Sequence, residues 1–316
     1  MAMNTSAETM AVSARNPGPS WGYRLLRLCD RIIPEVIFKP MRMGGTWVAL
    51  AGMPAQRKHS RAYLEKVLGR AVSVRDIFRH FFAFEESLML RLRVINGAPY
   101  GGAYGPGSED FGAWMKTDEP ALLGTFHLGT SDLLGFLMGG LKKRRVYLVR
   151  QRVGNSHDTD QLGRLFGDYV RFVWINQPSE MLFALKDAAM AGDGSIALQC
   201  DREDHSSRTA PFDFLGERRL FPVTIYHLAQ IFNLPVLLSF GIPSADAAKS
   251  TLYGAPVFRP RPEESRSEGM MRAREHFQVF LNQVEAALKI HPYQWFNFLP
   301  LNTVVPTEED KETTRR

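Results

Sequence analysis

Cysteine is almost missing from this 316-residue chain, which has only Cys29 and Cys200. Two thiols cannot build a disulfide framework or a four-thiolate zinc site, and both are read as reduced, in a cytosolic setting. Long apolar runs are missing too. A spanning helix needs about 20 nearly uninterrupted apolar residues. The best stretch, Val36 to Met53, is interrupted by Lys39, Pro40, Arg42, Gly44 and Gly45. The first twenty residues are small and polar without an apolar h-region, so a secretory signal is not expected. The expectation is a chain that neither spans a membrane nor is exported by that route, but can lie against one. Several catalytic signatures are absent as well: there is no P-loop and no H-E-x-x-H. The segment GDGSIA (192–197) fits G-x-G-x-x-A, but it precedes a strand instead of following one and opening a helix. No metal and no cofactor is implied.

Hydrophobic residues make up 45% of the chain and charged residues 23%, the proportions of an ordinary globular protein. Lys and Arg outnumber Asp and Glu by 39 to 33, a net charge of +6 that favours anionic partners. Nucleic acid is not expected among them, because no binding module or aromatic-interleaved basic patch is visible. Residues 1–20 and 303–316 read as flexible tails. Residues 21–97 read as a helical, membrane-apposed segment. Apolar residues from Trp21 onward recur at spacings of three and four with Arg24, Arg27, Arg31, Lys39 and Arg42 among them, and Pro34 and Pro40 interrupt the pattern. The glycine-rich run NGAPYGGAYGPG (96–107) marks the boundary.

From residue 98 to 302 the rhythm changes. Strands are expected at 121–126, 146–151, 171–176, 195–200 and 235–242, with helices at 131–141, 158–169, 179–192, about 222–232 and 268–289. This alternation predicts an α/β fold: a central, mostly parallel sheet flanked by helices. In such sheets the working residues sit just past the carboxyl ends of strands. The first strand runs directly into TFHLGTSDLLG, which holds His127 and Asp132 in an H-x4-D (HX4D) arrangement. A carboxylate in the first turn of the next helix can bond one imidazole nitrogen, leaving the other to take a proton from a hydroxyl. Gly129 would let a backbone N–H face a developing oxyanion. His80 and Glu85 repeat the spacing inside an aromatic-rich helix, where a core histidine is expected. The basic cluster Lys142, Lys143, Arg144 and Arg145 suits either a helix C-terminus or an acidic partner.

HLGTSD after a buried strand resembles the H-x4-D/E motif of the glycerolipid acyltransferase superfamily. VYLVRQRVGNSHDTDQLGRLFGDYVRFV, LQCDRED, FDFLGERRLFP, HLAQIFNLPVLLSF and PYQWFNF follow in an order similar to the branch of bacterial lipid A secondary acyltransferases. The resemblance spans roughly residues 57–300. It departs from that branch in carrying Asp132 where Glu is usual and in lacking a clean N-terminal span.

What the resemblance implies is transfer of a fatty acyl group from an acyl carrier protein or CoA thioester to a hydroxyl of a lipid-like acceptor. His127 would be the general base and Asp132 its orienter. Arg150, Asn155, Arg164, Asp201 and Arg202 would contact substrate, the arginines through bidentate forks to phosphate or carboxylate. Phe214 and Gly216 would shape the pocket rim. The implied place is the cytoplasmic face of a bacterial inner membrane, held peripherally. The alternative is a non-catalytic lipid-binding or assembly protein on the same fold.

Overall fold

Runs such as ALLGTF and PVLLSFGI are apolar at nearly every position and do not alternate, the pattern of strands covered on both faces. In the computed structural model they lie side by side at the centre of a sheet. The structure describes residues 20–133, 145–150, 170–174, 178–190, 192, 194–206, 208–244 and 249–306. Its helices are α1 (Ser20–Ile32), α2 (Glu35–Gly52), α3 (Pro54–Leu68), α4 (Val74–Ile95), α5 (Glu109–Trp114), α6 (Pro178–Met190), α7 (Thr224–Phe232) and α8 (Arg266–Ile290). Its strands are β1 (Gly101–Tyr104), β2 (Leu122–Gly129), β3 (Arg145–Arg150), β4 (Val170–Trp174), β5 (Gly194–Gln199), β6 (Thr209–Phe214), β7 (Glu217–Pro222), β8 (Val236–Pro243) and β9 (Lys249–Gly254).

Among the described residues, seven strands form one sheet in the order β1-β9-β8-β2-β5-β3-β4. The run β8-β2-β5-β3-β4 is parallel throughout, while β9 joins β8 antiparallel. The fold is therefore α/β with a mostly parallel sheet, as the alternating pattern predicts. The expected helix at 158–169 lies outside the described residues. Of the one expected at 131–141, only a 3₁₀ turn at Ser131–Leu133 is described. The glycine-rich run 96–107 contains β1, which pairs with β9 and so belongs to the sheet. That strand has no apolar alternation of its own, and its register comes entirely from β9.

Strand β2 sits at a switch point. The chain leaves it towards β3 and β4, and later places β8 on its other side. The carboxyl ends of β5, β2 and β8 are thus neighbours, the usual place for a site in an open α/β sheet. Beneath them lies one continuous core that includes Phe126, Phe221, Phe277 and Phe280 from the sheet side and Tyr63, Leu64, Ile77 and Phe81 from α3 and α4. Helices α1 and α2 pack on α4 through a smaller cluster around Phe38, Met89 and Leu92.

Pro34 ends α1 and forms the N-cap of α2, as expected, but Pro40 lies inside α2 without breaking it. A proline there removes one helical hydrogen bond and strains the turn. Ion pairs on either side keep the helix docked: Lys39 to Glu86, and Arg42 to both Glu35 and Glu85. Arg93 completes the network by bridging Asp30 and Glu35. Arg42 is consequently buried beneath α2 and does not belong to the exposed basic face.

Candidate active site

Parallel pairing sets the site. In the β2–β5 ladder Thr125 lies opposite Gln199. Two residues further along each strand, this register brings His127 opposite Asp201. Asp201 is completely buried. The Nδ1–H of His127 faces both of its oxygens at 2.9 Å, and the His127 backbone N–H donates to Oδ2 at 3.0 Å. Trp295 donates its indole N–H to the same Oδ2 at 3.1 Å. Asn302 donates its side-chain amide to the Asp201 carbonyl at 3.0 Å.

Burial by itself pushes the Asp201 carboxyl up. The charge and hydrogen bonds of His127, with the charge of Arg202, outweigh burial and hold it well below the usual carboxylate range. Asp201 is therefore an anion that fixes the proton of His127 on Nδ1. The imidazole, about one-fifth exposed, keeps Nε2 as a proton acceptor.

This geometry changes one expected role. Asp201, expected to contact substrate, is instead sealed from solvent and filled with protein donors, and it is the carboxylate that orients His127. Asp132 lies in the turn Ser131–Leu133, and its side chain is outside the described residues. The sequence order hides the Asp201 partnership because 74 residues separate it from His127.

Gly129 does not offer an oxyanion donor either. Its N–H donates to the Gln294 carbonyl at 2.7 Å, and Thr130 N–H donates to the Gly241 carbonyl at 2.8 Å. The glycine is required for another reason. Its φ is +55°, and a Cβ there would stand 2.2 Å from the Gly241 carbonyl oxygen. Ser131 is likewise occupied, donating to the Leu128 carbonyl and accepting from the Gly241 N–H. Cys200 is buried, and burial together with the Asp201 charge pushes its thiol up, so it stays protonated and is a poor nucleophile.

Arg202 follows Asp201 directly; its Nε is buried without a hydrogen-bond partner among the described residues. Arg150 ends β3, with its side chain outside the described residues. Asn155, Arg164 and the cluster residues Lys142, Lys143 and Arg144 also lie outside them. Phe214 is a core residue and does not line a rim. It is 1% exposed and packs edge-on against Phe221 and Trp295, at 5.3 and 5.5 Å between ring centroids. Gly216 closes the two-residue turn between β6 and β7, where Leu215 and Gly216 both have positive φ, the backbone of a type I′ hairpin.

His80 is a core residue, as its helix implies. Its Nε2–H donates to the Trp295 carbonyl and its Nδ1 accepts from the Ser60 hydroxyl, both at 2.8 Å. Burial lowers its pKa from 6.5 to about 4. In the unfolded chain His80 takes up a proton below about pH 6.5, whereas in the folded chain it resists one down to about pH 4. The unfolded state therefore binds more protons in this window. The stability His80 contributes is complete above about pH 6.5 and is lost as pH falls towards about 4, amounting to about 3 kcal/mol. Urea unfolding at pH 7 and pH 5 should show the native protein losing more stability than His80→Gln. His227, His276 and His291, also pushed down by burial, contribute to both proteins and cancel in the difference. Equal losses would show that His80 is not held neutral.

No family model matches the chain, and no curated protein matches it significantly. Among solved structures the chain is similar to the 1-acyl-sn-glycerophosphate acyltransferase PlsC of Thermotoga maritima. That likeness covers 79% of this chain and 97% of the other, at 14% identity and a TM-score of 0.37, which is too low for activity to be inferred from it.

Proposed function

We propose that this protein is an acyltransferase that moves a fatty acyl group from a thioester donor to a hydroxyl of a lipid-like acceptor. The observation that carries this reading is the His127–Asp201 pair at the carboxyl end of the central strand. A buried carboxylate holds Nδ1, and Nε2 is left as a base. Nε2 takes the proton of the acceptor hydroxyl as its oxygen attacks the thioester carbonyl. Collapse of the tetrahedral intermediate breaks the C–S bond, and the proton on Nε2 passes to the departing thiolate. The acyl group goes directly to the acceptor, with no covalent acyl-enzyme. This agrees with a protonated, buried Cys200 and a fully bonded Ser131. The ordered sequence blocks support an acyl carrier protein or CoA donor and an acceptor that is a lipid A precursor, another polar lipid or a pigment.

Mass spectrometry of lipids from cells with and without the protein tests the reading. An acylated species should disappear and its hydroxyl precursor accumulate when the protein is absent. Unchanged lipids would sink the enzymatic reading and favour a binding protein on the same fold.

We also place the protein peripherally on the cytoplasmic face of the inner membrane, through α1 and α2. Among the described residues no helix is long and apolar enough to cross a membrane. These two helices nevertheless expose Leu25, Leu28, Ile32, Val36, Ile37, Met41, Trp47 and Val48, with Val36 80% exposed. Arg24, Arg31 and Lys39 are exposed beside them. Apolar side chains inserted at the acyl boundary with cations at the headgroups make an interfacial helix pair. Full-length protein should co-sediment with anionic liposomes, less with neutral ones, and be partly released by salt, since each basic residue contributes about 1 kcal/mol near an anionic surface. Val36→Glu with Val48→Glu should abolish most of that binding; undiminished sedimentation would move the contact to another surface.

A further inference from the structure

We propose that Trp295 is a positioning residue for the His127–Asp201 pair, acting through Asp201 without touching substrate. This rests on the reading of His127 as the base.

The segment after α8, residues 291–298, runs along the carboxyl end of β2 as a strap. It bonds the backbone at His127 and again two residues further on. Gly129 N–H donates to the Gln294 carbonyl at 2.7 Å, and Phe296 N–H donates to the His127 carbonyl at 2.8 Å. Between these two anchors, Trp295 turns inward and is 1% exposed. Its indole N–H reaches Oδ2 of Asp201, the oxygen that also accepts the His127 backbone N–H. Among the described residues Oδ1 meets Nδ1 alone. The indole donor thus stops the carboxylate from rotating about its Cβ–Cγ bond and keeps its plane set for the imidazole.

The strap and the indole are themselves held. The Trp295 carbonyl accepts from His80, which is braced by Ser60. The ring is wedged edge-on between Tyr63 and Phe214, at 5.2 and 5.5 Å. Tyr63 donates its hydroxyl to the Pro292 carbonyl, and Tyr293 donates to Asp76, at 2.8 and 2.9 Å. Asp76 is the N3 carboxylate of the capping box that Ser73 opens at α4, and is also paired with Arg70.

Phenylalanine keeps most of the volume and the aromatic edges but has no N–H, so it separates positioning from packing. The full-length chain labelled with ¹⁵N-histidine gives a readout that needs no substrate. His127 is identified as the ring signal lost in His127→Ala. In the native protein that signal should report one neutral tautomer with the proton on Nδ1. In Trp295→Phe it should move towards the mixed tautomers of an unconstrained imidazole, and Asp201→Asn should move it further. An unaltered His127 signal in folded Trp295→Phe would overturn the proposal, leaving Trp295 a packing residue. If Trp295→Phe does not fold, the indole N–H resonance of Trp295 decides the matter. It should shift upfield between the native protein and Asp201→Asn, and an unchanged position overturns the proposal. The lipid profile tests the enzymatic reading separately, so either can fail without the other.

Discussion

His127→Ala is expected to lower acyl-transfer turnover about 10²–10⁴-fold, the usual contribution of one positioned acid–base group. The fold should survive. The ring is partly exposed, and the contacts that fasten this part of β2 are made by its backbone: the N–H to Asp201 and the carbonyl from Phe296. The variant does leave Asp201 without the Nδ1 donor, so some stability is lost, because a buried carboxylate depends on its donors. Turnover measured with purified protein and an acyl-thioester donor, beside a thermal melt, separates the two effects. Full activity in a folded His127→Ala protein would eliminate His127 as the base.

Asp201→Asn should cost as much or more, on the order of 10³–10⁴-fold, and the hydrogen-bond directions give the reason. The Oδ2 position faces three N–H donors, the His127 backbone, Trp295 and Nδ1, whereas among the described residues Oδ1 faces Nδ1 alone. In an asparagine the carbonyl oxygen must take that position, which turns the NH₂ towards Nδ1. The imidazole then accepts at Nδ1 and carries its proton on Nε2, so the atom that should remove the hydroxyl proton already holds one. The wrong-tautomer loss measured for a comparable histidine–carboxylate pair in a serine protease is of this size. Asp132→Asn provides the contrast. If Asp201 is the orienter, Asp132→Asn should lose less than Asp201→Asn; the opposite order would return the orienting role to Asp132.

Much of the fold was legible in the sequence because it follows from local patterning. The apolar runs at 121–126, 195–200 and 235–242 are strands β2, β5 and β8 within one to three residues at each end, and the period at 268–289 is α8. His127 was equally legible, since a histidine at the end of a buried strand is visible without knowing which strands are neighbours. Pro40 was misleading. Proline propensity speaks for an isolated helix, and here the pairs from Lys39 and Arg42 to α4 hold α2 together across it. The hairpin β6–β7 and the edge strands β1 and β9 carried no comparable signal, as their order comes from partners elsewhere in the chain.

The sequence by itself determined the class of fold, the strand that carries His127, and the mixed apolar and basic character of the N-terminal helices. These depend on residue spacing over one or two turns or pleats. Only the tertiary structure decided what His127 touches. Asp201 reaches His127 across 74 residues because β5 lies parallel beside β2 in a particular register. Trp295 reaches Asp201 across 94, and His80 reaches the Trp295 carbonyl across 215. The same strap occupies the Gly129 N–H, which spacing alone had left free for an oxyanion. A hydrogen-bond partner is a matter of distance and direction in space, and strand order and register, which set both here, leave no local pattern along the chain.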